Sequence, residues 1–287
     1  MHIEIDSRVP GCEEFARLAL RWISGTSKLV GLDTENLPSS GLIPFIGPSS
    51  PSDLWLLGEP TALAATIYVQ LLPEFGLGRR AKLTPSSWRK VSEALVEKSP
   101  YSILLVMSPI RDSGIAAGRG LPVNLEVSRV IASPEWVRFE AQLPGDIVPW
   151  HGENGRESSW LAFVRDWVSE IPASFAHIDD KGNFLRTSDE APFGRYAWDT
   201  VPHSEERLRG SSWVTVVPAG LAETLGGGDA LVTSGAFVEV TPVAGGSLFL
   251  RATPTIDDYD LTAAARAFSA LAPALLRQSD GQERETS

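Results

Sequence analysis

Asp257-Asp258-Tyr259-Asp260 is the densest group of carboxylates in the chain. Oxygen ligands crowded in this way are what Mg²⁺ or Ca²⁺ requires. The group also stands directly before an apolar run, where Asp260 suits a helix N-cap and its neighbours suit the positive end of the helix dipole. No EF-hand spacing follows it, and capping is the reading adopted. A second acidic pair opens the turn sequence Asp179-Asp180-Lys181-Gly182-Asn183. A third, Asp33 and Glu35, follows the apolar Leu29-Val30-Gly31-Leu32. If that run is a strand, carboxylates two residues apart point to one side of it. The histidines are His2, His151, His177 and His203. None is spaced as a metal pair, and no His-Glu-x-x-His is present. His177, within Ala-Ser-Phe-Ala-His-Ile, reads as a satisfied, half-buried strand residue. There is no Gly-x-Ser-x-Gly elbow to anchor a hydrolase triad. Gly76-Leu77-Gly78 and the glycines from Gly114 to Gly120 lack the strand–glycine–helix context of a nucleotide loop. Neither a metal nor an organic cofactor is expected.

The stretch Leu29-Val30-Gly31-Leu32-Asp33-Thr34-Glu35 resembles the first motif of the DEDD-type 3′–5′ exonucleases. The resemblance implies that Asp33 and Glu35 help bind two divalent ions, which stabilise the attacking and leaving oxygens of a phosphodiester. The remaining motifs are missing: no His/Asn-rich second motif, no downstream Tyr-x-x-x-Asp. A proline-rich loop follows where a nuclease core needs paired strands. A metal-dependent phosphodiesterase using Asp33 and Glu35 is thus the alternative reading, beside solvated turn carboxylates.

The elements that must position these groups follow from periodicity. Residues 11–24 place Phe15, Leu18, Ala19 and Trp22 on one helical face, with Glu13 and Glu14 in the first turn. Lys28–Leu32 is expected as a short buried strand, Leu37–Pro60 as an irregular loop, and Leu63–Leu72 as helix or strand. Ser86-Ser87-Trp88 opens a helix leading into the strand YSILLVMS; Ser158-Ser159-Trp160 opens another leading into ASFAHI. The repeated arrangement suggests two related units. Between them, VNLEVSRVIA and EWVRFEAQL alternate as strands, with Trp136, Phe139 and Leu143 inward.

The last third reads strand (Trp213–Val217), short helix (Ala219–Leu225), hairpin (Ala236–Val240 with Ser247–Ala252) and helix (Leu261–Leu276). That final helix is expected to bury Leu261, Ala264, Ala265, Phe268, Leu271 and Leu275. The fold class expected is α+β: two related modules, each a twisted, mainly antiparallel sheet with helices on one face. The expected limits are 1–118, 119–277, and a disordered tail at 278–287.

The chain of 287 residues carries a net charge of −11, and all of the excess lies beyond residue 125. Such a field repels phosphate backbones and steers in a basic partner. No apolar run approaches the ~20 residues that cross a bilayer, and the first residues lack the order of a signal peptide. With one cysteine, Cys12, no internal disulfide forms. A cytoplasmic protein engaging neither nucleic acid nor membrane is expected.

From about Glu135 to Leu276 the chain resembles bacterial immunity proteins found with polymorphic and type VI secretion toxins. The resemblance is carried by Leu208-Arg209-Gly210 with Trp213, by Leu225-Gly226-Gly227, by the hairpin at Gly245-Gly246, and by Leu271-Ala272-Pro273-Ala274-Leu275-Leu276. It implies a non-enzymatic protein that binds and blocks a cognate toxin. An acidic surface would complement a basic toxin domain and speed encounter. The candidate binding residues are the acidic loops Asp179–Asp180 and Asp257–Asp258, with the loop tryptophans Trp150 and Trp198 as anchors. A scaffolding role without a dedicated ligand is the remaining reading.

Overall fold

His2-Ile3-Glu4-Ile5-Asp6 alternates polar and apolar residues and forms β1 (His2–Arg8), yet both of its faces are buried. In the computed structural model the described residues are 1–42, 63–71, 79–109, 122–143, 156–180, 187 and 189–275. The fold is α+β with antiparallel strand pairing throughout. The chain divides into two compact units, Val9–Ser159 and Met1–Arg8 together with Trp160–Ser287.

In the Val9–Ser159 unit, α1 (Cys12–Leu29) buries Phe15, Leu18, Ala19 and Trp22, the face expected from periodicity. The indole of Trp22 donates to the carbonyl of Glu140 at 3.1 Å, so its polar edge is satisfied inside the core. The strand expected at Lys28–Leu32 does not form. Helix α1 continues through Leu29, and Gly31 adopts φ +89°, the left-handed geometry that closes helices at little cost to glycine. The ambiguous Leu63–Leu72 run is strand β2 (Leu63–Gln70), followed by β3 (Arg79–Lys82). Helix α2 (Pro85–Lys98) is capped by Thr84 and not by Ser86: Thr84 and Ser87 form a reciprocal capping box, with Pro85 in the first turn. Strands β4 (Ser102–Pro109), β5 (Val123–Val130) and β6 (Ser133–Gln142) complete the order β3-β2-β4-β5-β6. Trp136, Phe139 and Leu143 are buried as expected.

The other unit uses β1, then α3 (Arg156–Glu170), β7 (Ala173–Asp179), α4 (Ala197–Thr200) and β8 (Val214–Val217). It ends with α5 (Ala219–Thr224), α6 (Gly227–Thr233), β9 (Glu239–Pro242), β10 (Leu248–Arg251) and α7 (Leu261–Leu271). Its strand order is β1-β7-β8-β10-β9. The expected short helix is present, and the hairpin forms with its first strand at Glu239–Pro242, three residues later than Ala236–Val240; Gly227 and Gly228 begin a second short helix, α6, instead of only ending the first.

Two further features depart from the pattern reading. Residue 118 lies outside the described residues, and the division falls instead at Arg8/Val9 and Ser159/Trp160. The reason is pairing: β5 and β6 join β4, while β1 joins β7 at the far end of the sequence. The second departure concerns α7, which ends at Leu271 and turns a different face inward. Leu271 and Leu275 are buried as expected, but Ala263 and Ala267 take the other inward positions, while Leu261 is 80% and Phe268 48% exposed. Among the described residues no helix is long and apolar enough to cross a membrane.

Candidate functional site

The interior of the Met1–Arg8/Trp160–Ser287 unit is not apolar where β1, β7 and β8 meet. His2, Glu4 and Asp6 share one face of β1 by the two-residue period of a strand. In the antiparallel register Glu4 stands opposite His177 and Asp6 opposite Phe175. His177 in turn stands opposite Thr215 on β8. Into this layer the segment before β8 sends Arg209, which is fully buried.

The guanidinium of Arg209 is shared by three carboxylates. Nη1 donates to Glu4 and, at 2.5 Å, to Asp6 Oδ2. Nε and Nη2 grip the two oxygens of Glu190 at 2.9 and 3.2 Å, the forked geometry that arginine offers and lysine cannot. Glu190 Oε2 also accepts from the backbone N–H of Thr187 at 2.6 Å, and the Thr200 hydroxyl donates to its Oε1. The Thr187 hydroxyl closes the loop on the Arg209 carbonyl at 2.7 Å. Burial alone would lower the guanidinium's pKa, but Asp6, Glu190 and Glu4 outweigh it and hold Arg209 well above the ordinary arginine range. Beside this network His2 Nδ1 and His177 Nε2 approach to 3.1 Å. His2, Glu4 and His177 are at most 1% exposed, so no dissolved substrate reaches them.

An accessible pocket of the unit lies at the end of β7. Asp179, Asp189, Ser211 and Tyr259 line a pocket of about 370 Å³ whose other wall is α7, with Leu261 and Phe268 among its residues. Asp189 Oδ2 accepts from the Ser211 backbone at 2.6 Å and from its hydroxyl at 3.0 Å. Burial nevertheless raises the Asp189 carboxyl above its usual value; the Ser211 bonds oppose the shift, and Asp179 and Glu190 add to it. Burial, then the charges of Asp179, Asp189 and Asp180, raise the Tyr259 phenol, which therefore stays a neutral donor. The pocket is thus acidic at its base and apolar along one edge.

The residues expected from sequence are only partly gathered there. Asp179 is buried in the pocket, and adjacent Asp180 is exposed. Asp257 and Asp258 are exposed in the turn before α7, where Asp258 accepts from the Thr255 hydroxyl at 2.6 Å. Asp260 caps α7 by accepting from the Ala263 N–H at 2.8 Å. Trp198 is 45% exposed and stacks on Tyr196 with ring centroids 4.4 Å apart. Trp150 and His151 lie outside the described residues.

Asp33 and Glu35 do not end a strand. Asp33 holds a turn, accepting from the Glu35 N–H at 3.0 Å and the Asn36 amide at 2.7 Å, which keeps its carboxyl below the usual range. Glu35 pairs with Lys28 at 3.2 Å. The strand geometry that made the exonuclease resemblance attractive is absent. What the sequence reading missed is the buried set Glu4, Asp6, Glu190 and Arg209. The visible signal was His-Ile-Glu-Ile-Asp, which reads as a half-exposed strand until its polar face is covered.

No protein-family model and no curated protein matches the chain. Among solved structures it is similar to the Pseudomonas aeruginosa T6SS protein PA0821, with a TM-score of 0.53 and 10% identical residues. The likeness spans 96% of this chain and 76% of that one. The two chains share a fold. At 10% identity the likeness concerns the backbone path alone, and the buried ionic layer and the acidic pocket stand on this chain's own geometry.

Proposed function

We propose that this chain is a binding protein that captures a basic protein partner at the acidic pocket beside α7, and that its role is immunity to a secreted toxin. One observation carries the reading. Leu261 and Phe268 project from α7 into solvent at the rim of a pocket based on Asp179, Asp189 and Tyr259. Large apolar side chains on a surface are informative when they edge a concave polar site. A lysine or arginine side chain fits such a site, with its stem against Leu261 and Phe268 and its charge toward the carboxylates.

Charge supports the choice of partner. Met1–Arg8 with Trp160–Ser287 holds 20 acidic and 11 basic side chains, while Val9–Ser159 holds 16 and 14. The negative field therefore belongs to the unit that carries the pocket, and it accelerates encounter with a cationic surface. The fold shared with a T6SS protein is compatible with a role beside a secreted toxin.

The test is co-expression with each protein encoded by the flanking genes, comparing the wild type with Leu261→Asp and Phe268→Asp. The expected result is one basic partner that co-purifies with the wild type at low salt. It should be released by either variant while both keep a cooperative thermal unfolding transition. A partner held equally by all three proteins would remove the α7 pocket from the interface. A wild type that binds none of the flanking products would overturn the immunity reading.

A further inference from the structure

We propose that His2, Glu4 and His177 supply three ligands of a buried site for one divalent transition-metal ion of the zinc class. The proposal concerns the interior of the Met1–Arg8/Trp160–Ser287 unit and is independent of the α7 pocket. Two imidazoles and a carboxylate offer ligand atoms that all lie within 4.8 Å of one another. They come from adjacent antiparallel strands: His2 and Glu4 from one face of β1, His177 from the position on β7 opposite Glu4. The backbone ladder, and not a flexible loop, sets their spacing.

The spacing of the two imidazoles is close to what a shared ion requires, although it also matches a direct N–H···N hydrogen bond. His2 Nδ1 and His177 Nε2 are 3.1 Å apart. Two nitrogens bound to one tetrahedral zinc at about 2.0–2.1 Å stand about 3.3–3.4 Å apart, so an adjustment of a few tenths of an ångström seats both. The imidazole planes are inclined at 73°, an edge-to-face contact and not a stack. Nitrogen donors with a single carboxylate suit zinc, cobalt or nickel better than Mg²⁺ or Ca²⁺, which prefer all-oxygen shells.

The surroundings are those that hold ligands in place. Arg209 donates to Glu4 and is itself fixed by Glu190 and Asp6, so the carboxylate is oriented from behind. Phe175 packs edge-on against His177 with ring centroids 5.4 Å apart. Outer hydrogen bonds of the kind Arg209 makes orient a ligand and tune the affinity of a site. Because the three residues are buried, the ion enters as the chain folds and acts as a clasp between β1 and β7 rather than as a catalyst.

The full chain, made without a polyhistidine tag, is unfolded in denaturant with chelator. It is then refolded with or without Zn²⁺, and in parallel with Co²⁺. The expected result is one bound equivalent per chain, a higher melting temperature than the metal-free protein, and a visible Co²⁺ ligand-field band. His2→Gln and His177→Gln should lose the band, whereas His203→Gln should keep it. A wild type that refolds without retaining either metal, and melts at the same temperature with or without it, would overturn the proposal. The His2–His177 contact would then be an N–H···N hydrogen bond. A band that survives in His177→Gln would overturn it equally, and the wild-type result stands even where a variant does not fold.

Discussion

Glu4 on β1 and His177 on β7 face each other across an antiparallel pair although 173 positions separate them in the chain, and neither has any contact with solvent. That pairing brings the first strand into the sheet of the last third. It also converts the polar side of His-Ile-Glu-Ile-Asp from a solvated face into an interior layer. Such a layer is tolerated only when its polar groups are hydrogen-bonded, and Arg209 gives each of Glu4, Asp6 and Glu190 a charged donor.

Removing Arg209 should therefore be among the most damaging single changes. Arg209→Met keeps much of the volume but takes the guanidinium from three buried carboxylates, and losses of about 3–5 kcal/mol are typical when one side of a buried pair is deleted. Arg209→Lys should recover only part of it, because a point charge cannot reproduce the two-pronged contact with Glu190. Urea unfolding of both variants measures this. A midpoint within error of wild type for Arg209→Met would show that the network contributes nothing net.

The Val9–Ser159 unit holds a second charge relationship with a pH signature. Glu126 stands directly opposite Glu140 in the β5–β6 register, and Arg138 pairs with Glu140 at 2.9 Å. Burial first, then the neighbouring Glu140 charge, pushes the Glu126 carboxyl up to about 7, against a smaller opposing pull from Arg138. A carboxyl whose folded pKa is raised binds its proton more tightly in the native state. Its contribution is complete below the unfolded value of 4.5 and is lost as pH rises through about 7. Stability measured across pH 4.5 to 7 should thus contain a falling component that Glu126→Gln abolishes. An unchanged pH slope in that variant would show that another group is responsible.

Much of the secondary structure was legible because it rests on local physics. Phe15, Leu18, Ala19 and Trp22 mark α1 by helical spacing, Asp260 marks the start of α7 by its cap, and Gly245-Gly246 marks the turn of the last hairpin. What was not legible depends on long-range pairing. The residues Val30-Gly31-Leu32 look like a strand, but the helix before them and the positive φ of Gly31 decide otherwise. The acidic pocket was half visible, through Asp179 and the turn before α7. Asp189 and Tyr259 join it only because the chain returns to the end of β7. Nothing local in Leu208-Arg209-Gly210 announces that its arginine organises three carboxylates from two distant segments.

Gly41 should not tolerate a side chain. Its φ is +69°, and a Cβ there would lie 2.4 Å from Thr84 Cγ2 and 2.7 Å from the Leu83 carbonyl oxygen. The segment is tied to the start of α2 by the Leu42 N–H to Leu83 O bond at 2.9 Å, so it cannot swing away without losing that bond. Gly41→Ala should destabilise by about 1–3 kcal/mol, the range for a residue held in strained backbone. Thermal melting checks it, and an unshifted melting temperature would mean that the 38–42 turn yields freely.

The two faces of α7 should respond oppositely to substitution, which tests the orientation on which the proposed binding surface depends. Ala263 and Ala267 are small and buried, so the helix sits close to what it packs against. Ala267→Leu inserts volume into a filled interface and should cost about 1–3 kcal/mol. Leu261→Ala removes a side chain that already lies in solvent and should change stability by less than about 0.5 kcal/mol, and Phe268→Ala, about half exposed, should cost no more than about 1.5 kcal/mol. Had α7 buried Leu261 and Phe268, as its sequence pattern suggests, the ranking would reverse: Phe268→Ala would open a cavity costing about 3–5 kcal/mol. Denaturant unfolding of the three variants side by side distinguishes the two orientations, and only the first leaves Leu261 and Phe268 available to a partner.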